Sequence, residues 1–112
     1  MSQFHPLTLV ARRAETARAM LLTFGVPAAQ RPAFRAEPGQ HVVLRAVLDG
    51  QELRRTYSVC SQSDAGDITI CVRSDGGGRM AGFLCKDLGV GGTLEAMAPT
   101  GRFQLSGGGA DG

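Results

Sequence analysis

The stretch ELRRTYSVCS, residues 52–61, decides how this chain folds. Polar and apolar residues alternate along it as in a strand with one buried face. Yet it holds Arg54, Arg55, Tyr57, Ser58 and Ser61 where a plain barrel strand would hold Val and Thr. Just upstream, QHVVLRAVLDG (40–50) is a second alternating run. The Asp49-Gly50 dipeptide between the two runs predicts a hairpin, because Asp and Gly tolerate the positive φ of a tight turn. Downstream, GDITICVRS (66–74) puts Ile68, Ile70 and Val72 on one face and Thr69, Cys71 and Arg73 on the other. Further out, LTLVARR (7–13), AMLLTFGV (19–26) and TLEAMAP (93–99) read as three more strands. PAAQRPAFRAEPG (27–39), interrupted by three prolines, reads as a loop.

One segment breaks the period of two. In GGGRMAGFLCKDLG (76–89), Met80, Leu84 and Leu88 recur every fourth residue, which predicts a helix with Gly89 as its C-terminal stop. SGGGADG (106–112) reads as a flexible tail or the start of a linker. Six short strands and one late helix imply a mainly β domain, a small antiparallel barrel or sandwich capped at one end by that helix.

A length of 112 residues, 43% of them hydrophobic, suits one domain with one modest core. A net charge of +2 supplies no field strong enough to favour nucleic acid or a membrane surface. Of the 12 basic residues 11 are Arg, a planar multi-donor fork suited to phosphate and carboxylate, although GC-rich coding produces the same bias. Cys60, Cys71 and Cys85 are odd in number and lack C-x-x-C spacing, which argues against a disulfide framework, a zinc site or an iron–sulfur cluster. No metal site is expected, and Cys60 and Cys71 read as small core residues. His5 and His41, isolated in or beside strands, read as structural. With no signal peptide or long apolar run in view, the expectation is a soluble cytoplasmic protein.

Two features point to an anionic, planar ligand. Arg55 and Tyr57 share a strand face, where a ring could cover a heterocycle and a guanidinium fork could hold a phosphate. The competing reading is a core tyrosine beside a solvated arginine. Gly76, Gly77 and Gly78 open the helix, so backbone amides could approach a second phosphate, with Arg79 adding charge. The competing reading there is a flexible turn. Neither the Rossmann nor the P-loop spacing is present.

Together these motifs resemble the ferredoxin–NADP reductase superfamily. RTYSVCS is similar to its R-x-Y-S flavin signature, and ICVRSDGGGRMAGFL and GGTLEAMAPTGRF follow at the superfamily's spacing. The likeness runs over roughly residues 4–105. FHPLTL, PGQHVVLRAVLDGQELRRTYSVC and TLEAMAPTG are most similar to the reductase subunits of bacterial phenylacetyl-CoA ring epoxidases. The resemblance implies a six-stranded antiparallel Greek-key barrel over residues 1–105 that binds FAD, with residues 106–112 leading towards a nucleotide domain outside this sequence. It implies NAD(P)H as hydride source and, in the narrower family, a 2Fe-2S domain that passes electrons to an oxygenase component of phenylacetate catabolism.

By position the resemblance assigns Arg55 to the FAD pyrophosphate and Tyr57 to the isoalloxazine and ribityl chain. Ser58 falls near flavin N5 and is the catalytic candidate. Val72 and Arg73 fall beside the cofactor; Gly77, Gly78, Arg79 and Met80 fall at the pyrophosphate-binding helix start, and Ala81 stands where the superfamily usually has Ser. Alternation places Ser58 on the opposite face from Arg55 and Tyr57, so its role requires the strand to end, bend or offer backbone there. The alternatives are a stand-alone FMN or FAD module and a non-enzymatic small barrel.

Overall fold

In the computed structural model, which describes residues 4–74 and 78–100, the alternating segments become β1 (His5–Thr16), β2 (Ala19–Gly25), β3 (His41–Leu48), β4 (Gln51–Gln62), β5 (Ile68–Arg73) and β6 (Thr93–Thr100). They close into a barrel in the order β1-β2-β5-β4-β3-β6, with every neighbouring pair antiparallel. The Greek-key expectation is met. At the β3–β4 hairpin Asp49 (φ 53°) and Gly50 (φ 78°) both adopt positive φ, as the dipeptide predicts. The period-two apolar faces converge inside: Leu7, Leu9, Leu22, Phe24, Val42, Leu44, Ile68, Ile70 and Ala96 are fully buried.

Two of the four register shifts among the described strands turn polar residues inward. A register shift between Leu9 and Ala11 turns Arg12 to the core side, opposite the buried Leu22. From there its Nη1 donates to Leu88 O at 2.5 Å and Leu84 O at 3.3 Å, so a cation occupies the carbonyl end of the helix. The second shift, between Val59 and Ser61, turns Gln62 inward opposite Ile68. Gln62 accepts from Ala36 N (2.9 Å) and donates to Phe34 O (2.8 Å) and Gly66 O (3.2 Å), pinning the proline-rich loop. That loop contains a 3₁₀ turn, Ala28–Gln30, and buries Phe34 completely. His5 meets the Phe34 ring edge-on, centroids 5.8 Å apart, in the structural role expected of it.

The helix is shorter and looser than its sequence period suggests. α1 (Arg79–Gly82) continues as a π-wound turn over Phe83–Asp87, closed by Leu88 N–H donating to Phe83 O at 2.8 Å. Met80, Leu84 and Leu88 enter the core cluster, so the cap forms as predicted. Gly89 is not its left-handed stop. Leu88 turns extended (φ −75°, ψ 114°) after the π turn, and the positive φ falls at Gly91, where the chain returns to β1. A second correction concerns cysteine: Cys60 and Cys71 are exposed, because Val59 and Ile70 take the inward positions beside them. Gly76, Gly77 and the 106–112 tail lie outside the described residues.

Candidate functional site

β4 is bonded unequally along its two edges. Towards β3 its register runs unbroken from Leu48–Gln51 to His41–Ser58. Towards β5 it begins only at Val59–Ile70 and continues through Ser61–Thr69 to Gln62–Ile68. Residues 53–58 of β4 and 71–73 of β5 therefore form no register pairs with each other, which leaves a seam in the barrel wall. Arg55, Tyr57 and Ser58 stand on one side of it, and Val72 and Arg73 on the other. α1 begins a few residues beyond β5 and packs against β4.

The register explains why adjacent arginines behave differently. Arg54 points outward, opposite Arg45, and joins a surface ladder in which its Nε donates to Glu52 at 2.6 Å and Arg45 Nε donates to the same carboxylate at 2.8 Å. Arg45 also pairs with Glu95, and the Phe4 ring lies under both guanidinium groups, 5.0 Å from Arg54 and 5.8 Å from Arg45. Arg55 lies opposite the fully buried Leu44, on the core-facing side of β4, yet it is exposed. Its guanidinium hydrogen-bonds only Arg54 O, at 2.8 Å, and no carboxylate pairs with it among the described residues. A cation on the inward face without an acidic partner is poised for an anion.

Tyr57 lies opposite Val42 on that same face, half-buried and packed against the core cluster. Partial burial pushes its phenol above the ordinary range; the Arg55 charge works against that shift and the neighbouring Cys85 thiol adds to it. Cys85 belongs to the π turn, and both it and Tyr57 pack against the same core cluster. Sequence reasoning did not single out Cys85 as its neighbour; the available signal was its place one helical turn after Ala81.

Ser58 is exposed on the outer side, opposite His41. The strand neither ends nor bulges before it, since the register shift comes after Val59. Of the three ways in which Ser58 could serve the Arg55–Tyr57 face, a strand end is removed, because β4 runs on to Gln62. Val72 and Met80 are buried, so only their main chains could reach a ligand, and Ala81 is half-buried beside the core. Gly78 precedes the first helical residue in extended conformation (φ −75°, ψ 152°), and a side chain there would meet nothing within 4 Å. The first amides of α1 lack intrahelical acceptors by construction. Arg79 turns to the β3–β4 hairpin, where it bonds Gln51, Leu48 O at 3.2 Å and Asp49 Oδ2 at 3.3 Å. Gly77 lies outside the described residues. An unpaired Arg55, a half-buried aromatic face and open helix-start amides bordering one seam fit a planar ligand carrying phosphates.

Residues 6–105 match the family model for the oxidoreductase FAD-binding domain. The chain belongs to that family. This FAD-binding domain of the ferredoxin–NADP reductase superfamily is 42% identical over 103 residues to one of the subunits of the 1,2-phenylacetyl-CoA epoxidase of Escherichia coli K12, covering 92% of this chain and 29% of that protein. It is 36% identical over 98 residues to a flavohemoprotein of Pseudomonas putida, covering 88% of this chain and 25% of that one. The chain thus spans less than a third of these curated relatives. The FAD/NAD-binding domain of a Vibrio cholerae nitric oxide dioxygenase shares the fold with a TM-score of 0.74 at 23% identity, over 86% of this chain and 43% of that one. Phthalate dioxygenase reductase shares it with a TM-score of 0.68 at 22% identity, over 93% of this chain and 32% of that one. No helix among the described residues is long and apolar enough to cross a membrane.

Proposed function

We propose that this domain holds FAD along the β4–β5 seam as the flavin-binding part of a longer cytoplasmic NAD(P)H oxidoreductase. When bound, FAD supplies the redox chemistry by accepting a hydride and releasing electrons singly. Arg55 binds the pyrophosphate through a charge-assisted hydrogen bond, and its lack of an acidic partner is the observation that carries this reading. Tyr57 lies against the isoalloxazine and ribityl chain and shields that face from water. Ser58 lies near N5 and acts there through its main chain. Val72 and Arg73 border the ring from β5, while Gly78, Met80 and Ala81 present amides to the phosphates, and the resemblance assigns Gly77 to the same phosphates. Arg79 lends charge after leaving the hairpin or from where it sits.

The relative at 42% identity, a subunit of a phenylacetyl-CoA epoxidase, supports the partners in this reading. They are a nicotinamide-nucleotide domain, a 2Fe-2S domain and an aromatic-ring oxygenase component of phenylacetate catabolism. Parallel fluorescence titrations of the purified chain with FAD and with riboflavin test the site. FAD should bind more tightly by at least about tenfold, the value of one charge-assisted phosphate contact. Equal affinities would remove the phosphate contacts and this reading with them.

A further inference from the structure

Cys60 and Cys71 lie on the two sides of the β4–β5 boundary, both on the outside of the barrel. Their chain neighbours Val59 and Ile70 are paired in register and buried, which turns both cysteines outward, and both are exposed. Cys60 is the extra residue of the bulge between Val59 and Ser61, and a bulge tightens the local twist and brings it towards its diagonal cross-strand neighbour. Burial raises the Cys60 thiol, and interaction with the Cys71 thiol adds to that. Cys85, the third cysteine, stands apart in the π turn.

We propose that Cys60 and Cys71 form a redox-active dithiol whose substrate is a small-molecule disulfide such as glutathione disulfide, and that its closure fixes the seam at its last rung. The Cys71 thiolate attacks one sulfur of the small disulfide and expels a thiolate, leaving a mixed disulfide on Cys71. Cys60 then loses its proton to solvent and attacks the Cys71 sulfur, expelling the second thiolate. Two protein thiols and one small disulfide become one protein disulfide and two small thiols, with two electrons passing from the cysteines to the small molecule. The raised Cys60 thiol is the poorer first nucleophile, which leaves the first attack to Cys71 and the resolving attack to Cys60. The closed ring spans residues 60–71 and joins β4 to β5 where their register begins, two residues beyond Ser58 and two short of Arg73.

The test incubates the reduced 112-residue chain with glutathione disulfide, blocks free thiols with N-ethylmaleimide and measures intact and peptide masses. One maleimide on Cys85, no glutathione adduct and a Cys60–Cys71 linked peptide are expected, reversed by dithiothreitol. Stable glutathione on both Cys60 and Cys71, or a bridge that uses Cys85, would overturn the proposal. Thermal unfolding, followed by the fluorescence of Tyr57, the single tyrosine, gives a second readout. Closure should raise Tm by about 5 °C or more, and Cys60→Ser and Cys71→Ser should lose that shift while melting like the reduced chain. A lowered Tm on closure would show that the pair is not in bridging geometry and would sink the proposal.

Discussion

The two edges of β4 differ in what they do with the same backbone. Along β3 the strand is laddered from Gln51 to Ser58, and the inward residues of β3 beneath it, Val42, Leu44 and Ala46, are buried. Along β5 it is laddered only from Val59 onward, and the inward positions just before that point hold Arg55 and Tyr57 instead of aliphatic residues. On the edge laddered to β3 the core pattern continues and serves stability. On the edge left open towards β5, charge and aromatic surface replace the core pattern, in the place where we propose a ligand. A barrel can thus keep its closure through one edge and host a site on the other.

That division can be broken most forcefully from the laddered edge. Leu44→Ala removes a fully buried side chain directly opposite Arg55 and should cost about 2–5 kcal/mol of stability. A shift of the urea midpoint measures it. A loss under about 1 kcal/mol would mean that this edge does not carry the core.

A smaller effect is expected where β4 meets β5. Gln62→Ala leaves Ala36 N–H, Phe34 O and Gly66 O without their partner and should cost about 1–3 kcal/mol. Hydrogen exchange should rise first at the Ala36 amide. Unchanged protection there would show that Phe34 alone holds the loop.

On the seam itself, Ala81→Ser restores a hydroxyl in the first turn of α1 and should tighten FAD by about 1.5 kcal/mol, the low end for a hydrogen bond to a charged group. Riboflavin, which lacks phosphate, should gain nothing. An equal gain for riboflavin would move the effect from the phosphates to the fold.

The smallest effect belongs to the outer face. Hydrogen bonds from Arg45 and then Arg54 hold the Glu52 carboxyl below its ordinary range. A carboxyl lowered in the folded state stabilises fully above its unfolded pKa, and this contribution is lost as pH falls through the lowered value. Glu52 is solvent-exposed, so the change should be slight and salt-sensitive. A carbon-detected NMR titration in which Glu52 titrates like a free glutamate would show that the ladder exerts no hold.

Much of the fold is legible from alternation. Period-two runs locate the strands, Asp49-Gly50 locates a turn with two positive φ angles, and a period of four locates the helix. The bulges are not legible, because a bulge is one extra residue in the ladder and needs no particular side chain; nothing in the sequence singles out Arg12 and Gln62, which register turns inward. Phe34 sits among prolines, where loop chemistry masks a buried anchor. Cys60 and Cys71 read wrongly as core because small apolar character outweighs parity, although Val59 and Ile70 beside them already claim the interior. In the site, sequence places Arg55 and Tyr57 on one face and Ser58 on the other, as the structure has them. What it cannot show is the missing β4–β5 ladder, which depends on how two separate strands pair in space.

On this reading Arg55 serves the ligand and not the barrel. Titration of FAD and riboflavin into the parent chain and into Arg55→Ala, with urea unfolding of each, tests it most directly. The substitution should weaken FAD by tenfold or more, as about 1.5–3 kcal/mol implies, while riboflavin affinity stays level and stability moves by less than about 0.5 kcal/mol. Unchanged FAD affinity, or a loss of stability with no loss specific to FAD, would contradict the account.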